Sequence, residues 1–375
     1  MNPFEYGGAV GPDAYCGRQR EQADLMRAVT NGEHHFVYAD RRMGKTSLAR
    51  CVLNRLDPQR YVTVFVDLWL TDGAAAFVDA MATALTGAAA SRADKLLDVS
   101  KQLFSGLRPS LTLDKAGNPS LQFETHAREG ALHALSDVLA APSKVAEKYG
   151  RRVVIVFDEF QQLLEYEDDL VERLLRLAVQ QSGGVVYLFL GGRKYLIERM
   201  FLEPLRPLYR LAEPFLLGPI AVEHWVPFIR ERFEQAERPI TEDQVEALCA
   251  ITEGHPFYTQ HLAHVLWERT PMGAAVEQCD LPEAIEFLLR RESTAFAARW
   301  EALTKNQQRF LRGLATEAPG VAAFSAEFVQ AYRLKTPSNA QRAAEALLKL
   351  ELIDRKDGSF VVTDRFFGLW LRRPL

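Results

Sequence analysis

The sequence predicts an α/β fold: a parallel sheet wrapped by helices, followed by a helical module and then by a winged-helix order of elements. Three observations predict it. Apolar runs at His34–Tyr38, Tyr61–Asp67, Val153–Phe157 and Val185–Leu190 alternate with segments of helical periodicity, as strands joined by crossover helices do. Val153–Phe157 is apolar at every position, as a strand covered on both faces must be. Beyond Pro219 the strand signal stops and amphipathic helices recur until Leu352.

Each element has its own justification. His34–Tyr38 leads into a loop, and Thr46–Leu56 follows with Leu48, Cys51, Val52 and Leu56 at helical spacing. Helices are predicted over Ala74–Leu85, His126–Lys148 and Leu163–Gln180. Ser110–Asp114 and Pro119–Phe123 flank the turn Lys115-Ala-Gly-Asn118 and read as a hairpin inserted at about residues 108–124; such an insert is a surface flap or a place for partner contacts. Glu223–Ala236, Thr241–Thr252, Phe257–Arg269 and Leu281–Arg291 form the helical module, broken at Gly254-His-Pro256. Thr304–Ala315, Ser325–Tyr332 and Ser338–Leu350 then precede a hairpin over Leu352–Thr363 that turns at Asp357-Gly358. Three helices and a hairpin is the order of a winged helix-turn-helix, whose third helix is the one able to enter a major groove. The expected domains are a core at 1–218, a helical lid at 219–293 and a winged helix at 294–375.

Composition narrows the function classes. The chain of 375 residues is 48% hydrophobic and 25% charged, in the range of globular proteins and long enough for two or three domains. No run approaches the roughly 20 apolar residues of a membrane helix, and MNPFEYGGAVGPD lacks a basic-then-apolar secretion signal; a cytoplasmic location without membrane contact is expected. Cys16, Cys51, Cys249 and Cys279 are scattered without C-x-x-C spacing, which reads as reduced packing cysteines, not a disulfide or zinc framework. The net charge of −4 excludes a general polyanion binder. Residues 301–375, however, hold 12 Lys and Arg against 8 Asp and Glu, a net +4 that leaves −8 for the remainder. The tail is where nucleic acid is electrostatically plausible.

The chemistry centres on HHFVYADRRMGKTSLARCVL, His34–Leu53. Gly44-Lys45-Thr46 between a strand and a helix is the context of a phosphate-binding loop, although G-x-x-x-x-G-K-[ST] wants a glycine where Ala39 stands. In such a loop backbone N–H groups point at phosphates from a helix N-terminus. Lys45 would place a charge on the outer phosphates and Thr46 would offer its hydroxyl to Mg²⁺. Alanine at position 39 costs least if its φ stays negative. The second signal is VVIVFDE, Val153–Glu159, an apolar strand ending in two carboxylates. Asp158 would hold Mg²⁺ through water, and Glu159 would orient and deprotonate an attacking water. His261 and His264 stand i, i+3 on a helix with His255 nearby; packing or solvent-facing histidines are expected there in preference to a metal site. In the tail, Asn339, Gln341 and Arg342 on the third helix, with Arg355 and Lys356 at the hairpin tip, are candidate DNA contacts, diluted by Glu345, Asp354 and Asp357.

Taken together these motifs resemble a prokaryotic P-loop ATPase family, the archaeal-type ATPases on the STAND/AAA+ side of the ASCE class. The resemblance rests on NPFEYGGAV and CGRQREQADL near the start, Asp40-Arg-Arg-Met-Gly-Lys-Thr-Ser47, Asp158-Glu-Phe-Gln161, Phe189-Leu-Gly-Gly192, Arg206-Pro-Leu-Tyr209 and Gly254-His-Pro256. It continues in Phe324-Ser-Ala-Glu-Phe328, Gln341-Arg-Ala343 and Asp364–Leu371, so it covers nearly the whole chain in order. Asp40 stands where the family has proline. The resemblance implies a RecA/AAA+-like core, ATP and Mg²⁺ as cofactors, and a nucleotide site that includes Gly17 and Arg18 near the adenine or ribose. It places Arg41, Arg42, Met43, Gly44, Lys45, Thr46 and Ser47 in the loop, and His255 and Pro256 in a lid closing over the nucleotide. Arg206 or Arg210 would serve as an arginine finger, in cis or from a neighbouring subunit. The family often has a polar residue at the position of Gly192, near the γ-phosphate; glycine removes that sensor, with Arg193 or Lys194 as substitutes. Two functional readings follow. One is a Mg²⁺-dependent ATPase whose nucleotide state repositions the winged helix, with double-stranded DNA, a protein or a second copy as partner. The other is a nucleotide-gated scaffold or DNA-bound regulator with negligible turnover.

Overall fold

A computed structural model describes residues 1–8, 15–90, 96–104, 107–113, 119–124, 128–356 and 358–373. The chain divides into two compact units, Ala9–Gly218 and a second made of Met1–Gly8 with Pro219–Leu375.

The first unit runs α1 (Gln19–Asn31), β1 (His35–Tyr38), α2 (Lys45–Arg55), β2 (Tyr61–Asp67), α3 (Ala74–Ala89), α4 (Leu96–Leu103), β3 (Arg108–Leu113), β4 (Pro119–Glu124) and α5 (Arg128–Tyr149). It continues with β5 (Arg152–Asp158), a 3-10 turn (Phe160–Glu165), α6 (Leu170–Gln181), β6 (Val185–Gly191), α7 (Lys194–Leu202) and β7 (Glu213–Leu216). Five strands form a parallel sheet in the order β2-β5-β6-β1-β7. This order puts β1 and β5 on either side of β6, and the ends of β1, β5 and β6 carry Ala39, Asp158 and Gly192. The alternation of β5, an interior strand, fixes two cores. Val153, Ile155 and Phe157 face a layer with Phe77, Met81, Leu135 and Phe201, while Val154 and Val156 face Leu25, Val29, Leu48 and Val52.

Two findings depart from the sequence expectation in this unit. The fifth strand, β7, was not legible: Glu213-Pro-Phe-Leu216 has no β-branched run and is largely exposed. It adds only to β1, at the sheet edge, where Pro214 costs no ladder bond to a further neighbour. The helix expected over Leu163–Gln180 is interrupted. Tyr166 is extended, at ψ 155°, and the Asp168 side chain accepts from the Leu170 N–H at 3.1 Å, so the acidic run restarts the helix at Leu170. The inserted hairpin is present as β3 paired antiparallel to β4. Its turn at Lys115–Asn118 and the expected start of the long helix at His126 lie outside the described residues.

The second unit contains α8 (Val222–Glu234), α9 (Glu242–Thr252), α10 (Pro256–Arg269), α11 (Asp280–Arg291) and α12 (Ser293–Glu301), then α13 (Lys305–Thr316), α14 (Ala326–Ala331), α15 (Pro337–Lys349), β8 (Ile353–Lys356), β9 (Ser359–Val362) and α16 (Arg365–Leu371). Thr241 and Thr304 close capping boxes with Gln244 and Gln307, which fixes where α9 and α13 begin. β8 and β9 pair antiparallel with Lys356 opposite Ser359; of the expected turn at Asp357-Gly358, Asp357 lies outside the described residues. The first residues of the chain belong with these helices. Phe4, 2% exposed, packs on Phe228 and Phe233. Asn2 donates to the His264 carbonyl at 3.1 Å, and His264 Nδ1 meets the Phe4 carbonyl at 2.8 Å. Tyr6 stacks on His261 at 3.9 Å, and Arg291 reaches His261 Nε2 at 2.6 Å. These two histidines therefore anchor the N-terminal segment. Among the described residues no cluster of three or more His, Cys, Asp or Glu could hold a metal.

Candidate active site

The site is assembled where β1 and β5 end. The loop leaving β1 turns through Arg42 at φ 59° and Gly44 at φ 88°, and α2 begins at Lys45. Glycine is favoured at 44 because that φ lies in the left-handed region. Ala39 is buried, and its φ is not positive, so alanine fits where the phosphate-loop pattern has glycine. Met43 and Ser47 are buried, while the Arg41 and Arg42 side chains are exposed at the loop tip.

Lys45 is 6% exposed, and its Nζ donates to the carbonyls of Asp40 at 3.1 Å and Ala39 at 3.4 Å. Its ammonium thus lies curled into the loop. Burial pushes its pKa below the usual lysine value, against the opposing pull of Glu159, Asp158 and Asp40. Lys45 is thus a buried cation within electrostatic reach of three acids, with backbone carbonyls as hydrogen-bond partners.

Thr46, on the first turn of α2, donates its hydroxyl to Asp158 Oδ2 at 2.7 Å, although 112 residues separate them. Asp158 is 8% exposed, and burial raises its pKa, partly offset by the Thr46 hydrogen bond. Its other oxygen accepts from the Glu159 N–H at 3.0 Å. Glu159 sits at φ 51°, a left-handed kink that ends β5 and swings its side chain out of the strand. Gln161, which the sequence reading quoted in a motif but did not place in the site, holds that side chain: its Nε2 donates to Glu159 Oε2 at 2.5 Å. The same amide accepts at its Oε1 from the Gly192 N–H at 3.2 Å. A Cβ at Gly192 would stand 3.2 and 3.3 Å from the two Glu159 carboxylate oxygens. The space beside Gly192 is therefore bordered by the Glu159 carboxylate.

The other predicted residues are placed as follows. Arg18, 4% exposed, pairs with Glu21 at 2.8 Å and donates to the carbonyls of Met43 at 3.3 Å and Gly218 at 2.6 Å. It braces the phosphate loop, next to Gly17 at φ 61°. Arg193 lies 3.5 Å from Glu165. Arg206 is paired with Glu172, which is 2% exposed, and Arg176 donates to the carbonyls of Pro207 at 2.6 Å and Tyr209 at 3.1 Å. The Arg206-Pro-Leu-Tyr209 turn is thus pinned to α6. Arg210 is exposed, at φ 52°, with its guanidinium 5.2 Å from the Tyr209 ring. Lys194 lies 6.0 Å from the Tyr38 ring.

His255 and Pro256 belong to the second unit, where they open α10. Gly254 before them has φ 64°, and a Cβ there would meet the Ile220 carbonyl oxygen at 2.3 Å. On α15, Arg342 is exposed, Gln341 donates to Glu345 at 3.3 Å, and the Asn339 N–H is capped by the Thr336 hydroxyl. Arg355 lies over the Phe360 ring at 5.4 Å; Lys356 ends β8.

A strand–loop–helix phosphate cradle after β1, with an acidic pair at the end of β5, one strand beyond the neighbouring β6, defines a P-loop ATPase. The chain belongs to the family of ATPase domains found predominantly in Archaea, whose model matches residues 16–262. A second model, a probable winged helix domain, matches residues 294–373. The fold is similar to that of the Walker-type ATPase PABY2304 of Pyrococcus abyssi, at 17% identity and TM-score 0.66 over 99% of both chains. It is also similar to the Aeropyrum pernix ORC2 protein solved with ADPNP and ADP, at 14% identity and TM-score 0.54 over 95% of this chain and 92% of that one. The Aeropyrum pernix ORC1 protein, solved in complex with DNA, gives 17% identity and TM-score 0.50 over 96% and 93%. No curated protein matches the chain in sequence. The architecture is a parallel-sheet P-loop core followed in sequence by a C-terminal winged helix, and as a member of this ATPase family the chain binds nucleotide and hydrolyses ATP.

Proposed function

We propose that hydrolysis is Mg²⁺-dependent and that the nucleotide state repositions the winged helix. The observation that carries the first part is the 2.7 Å approach of the Thr46 hydroxyl to the buried Asp158 carboxylate, with Glu159 following directly. Two hard oxygen donors side by side at the phosphate loop fit the ligand chemistry of Mg²⁺. Bound there, the ion would neutralise charge on the β- and γ-phosphate oxygens. The chain's own groups do the rest. Lys45 leaves its carbonyl partners for the phosphates, backbone N–H groups at the start of α2 cradle them, and Glu159 takes the proton of the attacking water. Arg210, exposed, is the better arginine-finger candidate, because Arg206 is committed to Glu172. His255 and Pro256 would close the lid over the nucleotide, the role that the family resemblance implies.

The partner we propose for the winged helix is double-stranded DNA, read weakly through Arg342 and its neighbours Asn339 and Gln341. Two features support this: the exposed Arg342 on the third helix, and the similarity in fold to ORC1, solved with DNA. One exposed arginine with a Gln341 already paired to Glu345 favours a modest, salt-sensitive contact. No helix among the described residues is long and apolar enough to cross a membrane. The test is phosphate release from ATP with Mg²⁺ and with EDTA, each with and without duplex DNA, alongside energy transfer between a dye on each unit. Release that survives EDTA would overturn the metal dependence. Transfer that is identical with ATP and ADP would overturn the repositioning. DNA affinity unchanged by Arg342→Ala would overturn the DNA contact.

A further inference from the structure

We infer that Gln161 is a positioning residue for hydrolysis, and that Gly192 is the space which lets it act. The inference rests on Glu159 being the base proposed above. Gln161 is 3% exposed, so both ends of its amide need partners. One end meets a carboxylate, Glu159 Oε2 at 2.5 Å, and the other meets an N–H, that of Gly192 at 3.2 Å. A carboxylate can only accept and a backbone N–H can only donate, so the partners fix the orientation of the amide. The Gln161 side chain therefore ties the end of β5 to the end of β6 through the carboxylate that does the chemistry.

Glu159 needs such a tie. It leaves the strand at φ 51°, a kink that gives its side chain no support from the β5 ladder. Its carboxylate instead lies against Gly192, where an added Cβ would come within 3.2 and 3.3 Å of both oxygens. Gly192 is not in the left-handed region, so its backbone does not require glycine. A side chain at 192 would instead displace the Glu159 carboxylate by a few tenths of an ångström. The glycine that the sequence presents as a lost sensor is thus the room in which the base is held, and Gln161 replaces a sensor side chain as the link between the two strand ends.

The experiment compares Gln161→Leu, Gln161→Glu, Gly192→Ala and Glu159→Gln for ATP affinity, kcat and the pH dependence of kcat, with thermal melts as the folding check. Gln161→Leu should lower kcat by roughly tenfold to a hundredfold, the size of a lost hydrogen bond to a charged group, while ATP affinity stays within about twofold. Gly192→Ala should lower kcat severalfold with the same unchanged affinity, because small misplacements of a reacting group are costly. Gln161→Glu places two carboxylates together, so they share a proton and the acid limb of the pH profile moves to higher pH. A merely structural glutamine would not move that limb. Should Gln161→Leu fail to fold, Gly192→Ala and Gln161→Glu decide. If Glu159→Gln abolishes turnover but the other three variants match the wild type in kcat and pH profile, the role of Gln161 is refuted and the base stands. If Glu159→Gln keeps wild-type turnover, it is the base assignment that fails.

Discussion

Replacing Lys45 by methionine separates binding from folding. The change keeps the apolar stem and removes an ammonium that is 6% exposed and held by two backbone carbonyls. Its effect without nucleotide follows from the sign of the pKa shift. Burial lowers the Lys45 pKa from 10.5, so the folded chain binds this proton less firmly than the unfolded chain does. The charge therefore opposes folding at neutral pH, and the variant should melt no lower than the wild type. With nucleotide the sign reverses. A unit charge about 4 Å from a phosphate oxygen is worth about 4 kcal/mol at an effective dielectric constant of about 20. If half of that survives screening, Kd rises by about 30-fold. ATP at about 100 times the wild-type Kd adds about 2.7 kcal/mol of stability, or a rise of roughly 5–10 °C in Tm for a unit of this size. The variant at the same concentration has only about three times its Kd present and gains about 0.8 kcal/mol, a rise of about 2 °C. Differential scanning fluorimetry with and without ATP measures both numbers. An equal ATP-induced rise in the variant would refute the phosphate role of Lys45, and a large fall in its nucleotide-free Tm would refute the argument about its buried charge.

Three further outcomes are expected. Asp158→Asn should raise the nucleotide-free Tm at pH 7 while abolishing Mg²⁺-dependent turnover. Burial raises the Asp158 pKa above 3.8, so its ionisation costs stability as pH rises through the window between 3.8 and the folded value; the gain from asparagine should vanish below pH 3.8 in pH-dependent melts. Arg206→Ala strands the Glu172 carboxylate, 2% exposed, and should cost roughly 3 kcal/mol in denaturant unfolding without nucleotide; a variant of wild-type stability but reduced kcat would favour a finger role instead. Gly254→Ala places a Cβ 2.3 Å from the Ile220 carbonyl oxygen at φ 64° and should destabilise the second unit by about 2–5 kcal/mol, seen in calorimetry as a lower transition temperature for that unit.

The sequence and the structure agree where local pattern and tertiary demand coincide. Val153–Glu159 is legible because an uninterrupted apolar run ending in two acids has few other uses, and α9 and α13 start where their capping boxes say they start. Short edge elements were hidden. Nothing in Glu213-Pro-Phe-Leu216 announces a strand, because its pairing depends on β1 being in place beside it. α1 and α7 were also missed. α1 buries Leu25, Ala28 and Val29 between charged residues, and α7 is nine residues long, too short for a clear period. In the site, Lys45, Thr46, Asp158 and Glu159 could be named from motif alone. The partnership of Thr46 with Asp158 follows from the strand order, which the sequence does not contain. The link from Gln161 to Gly192 depends on two side-chain directions at neighbouring strand ends. The sequence shows only a glycine at 192; the fold shows the Glu159 carboxylate beside it.

In the proposed chemistry Glu159 acts on water while Asp158 and Thr46 hold Mg²⁺. Single-turnover phosphate release by Glu159→Gln, measured beside ATP affinity for the same preparation, tests it most directly. The expected result is affinity within about twofold of the wild type and release slower by about 10²–10⁴-fold, the range for losing a general base. Release at the wild-type rate with affinity intact would contradict it.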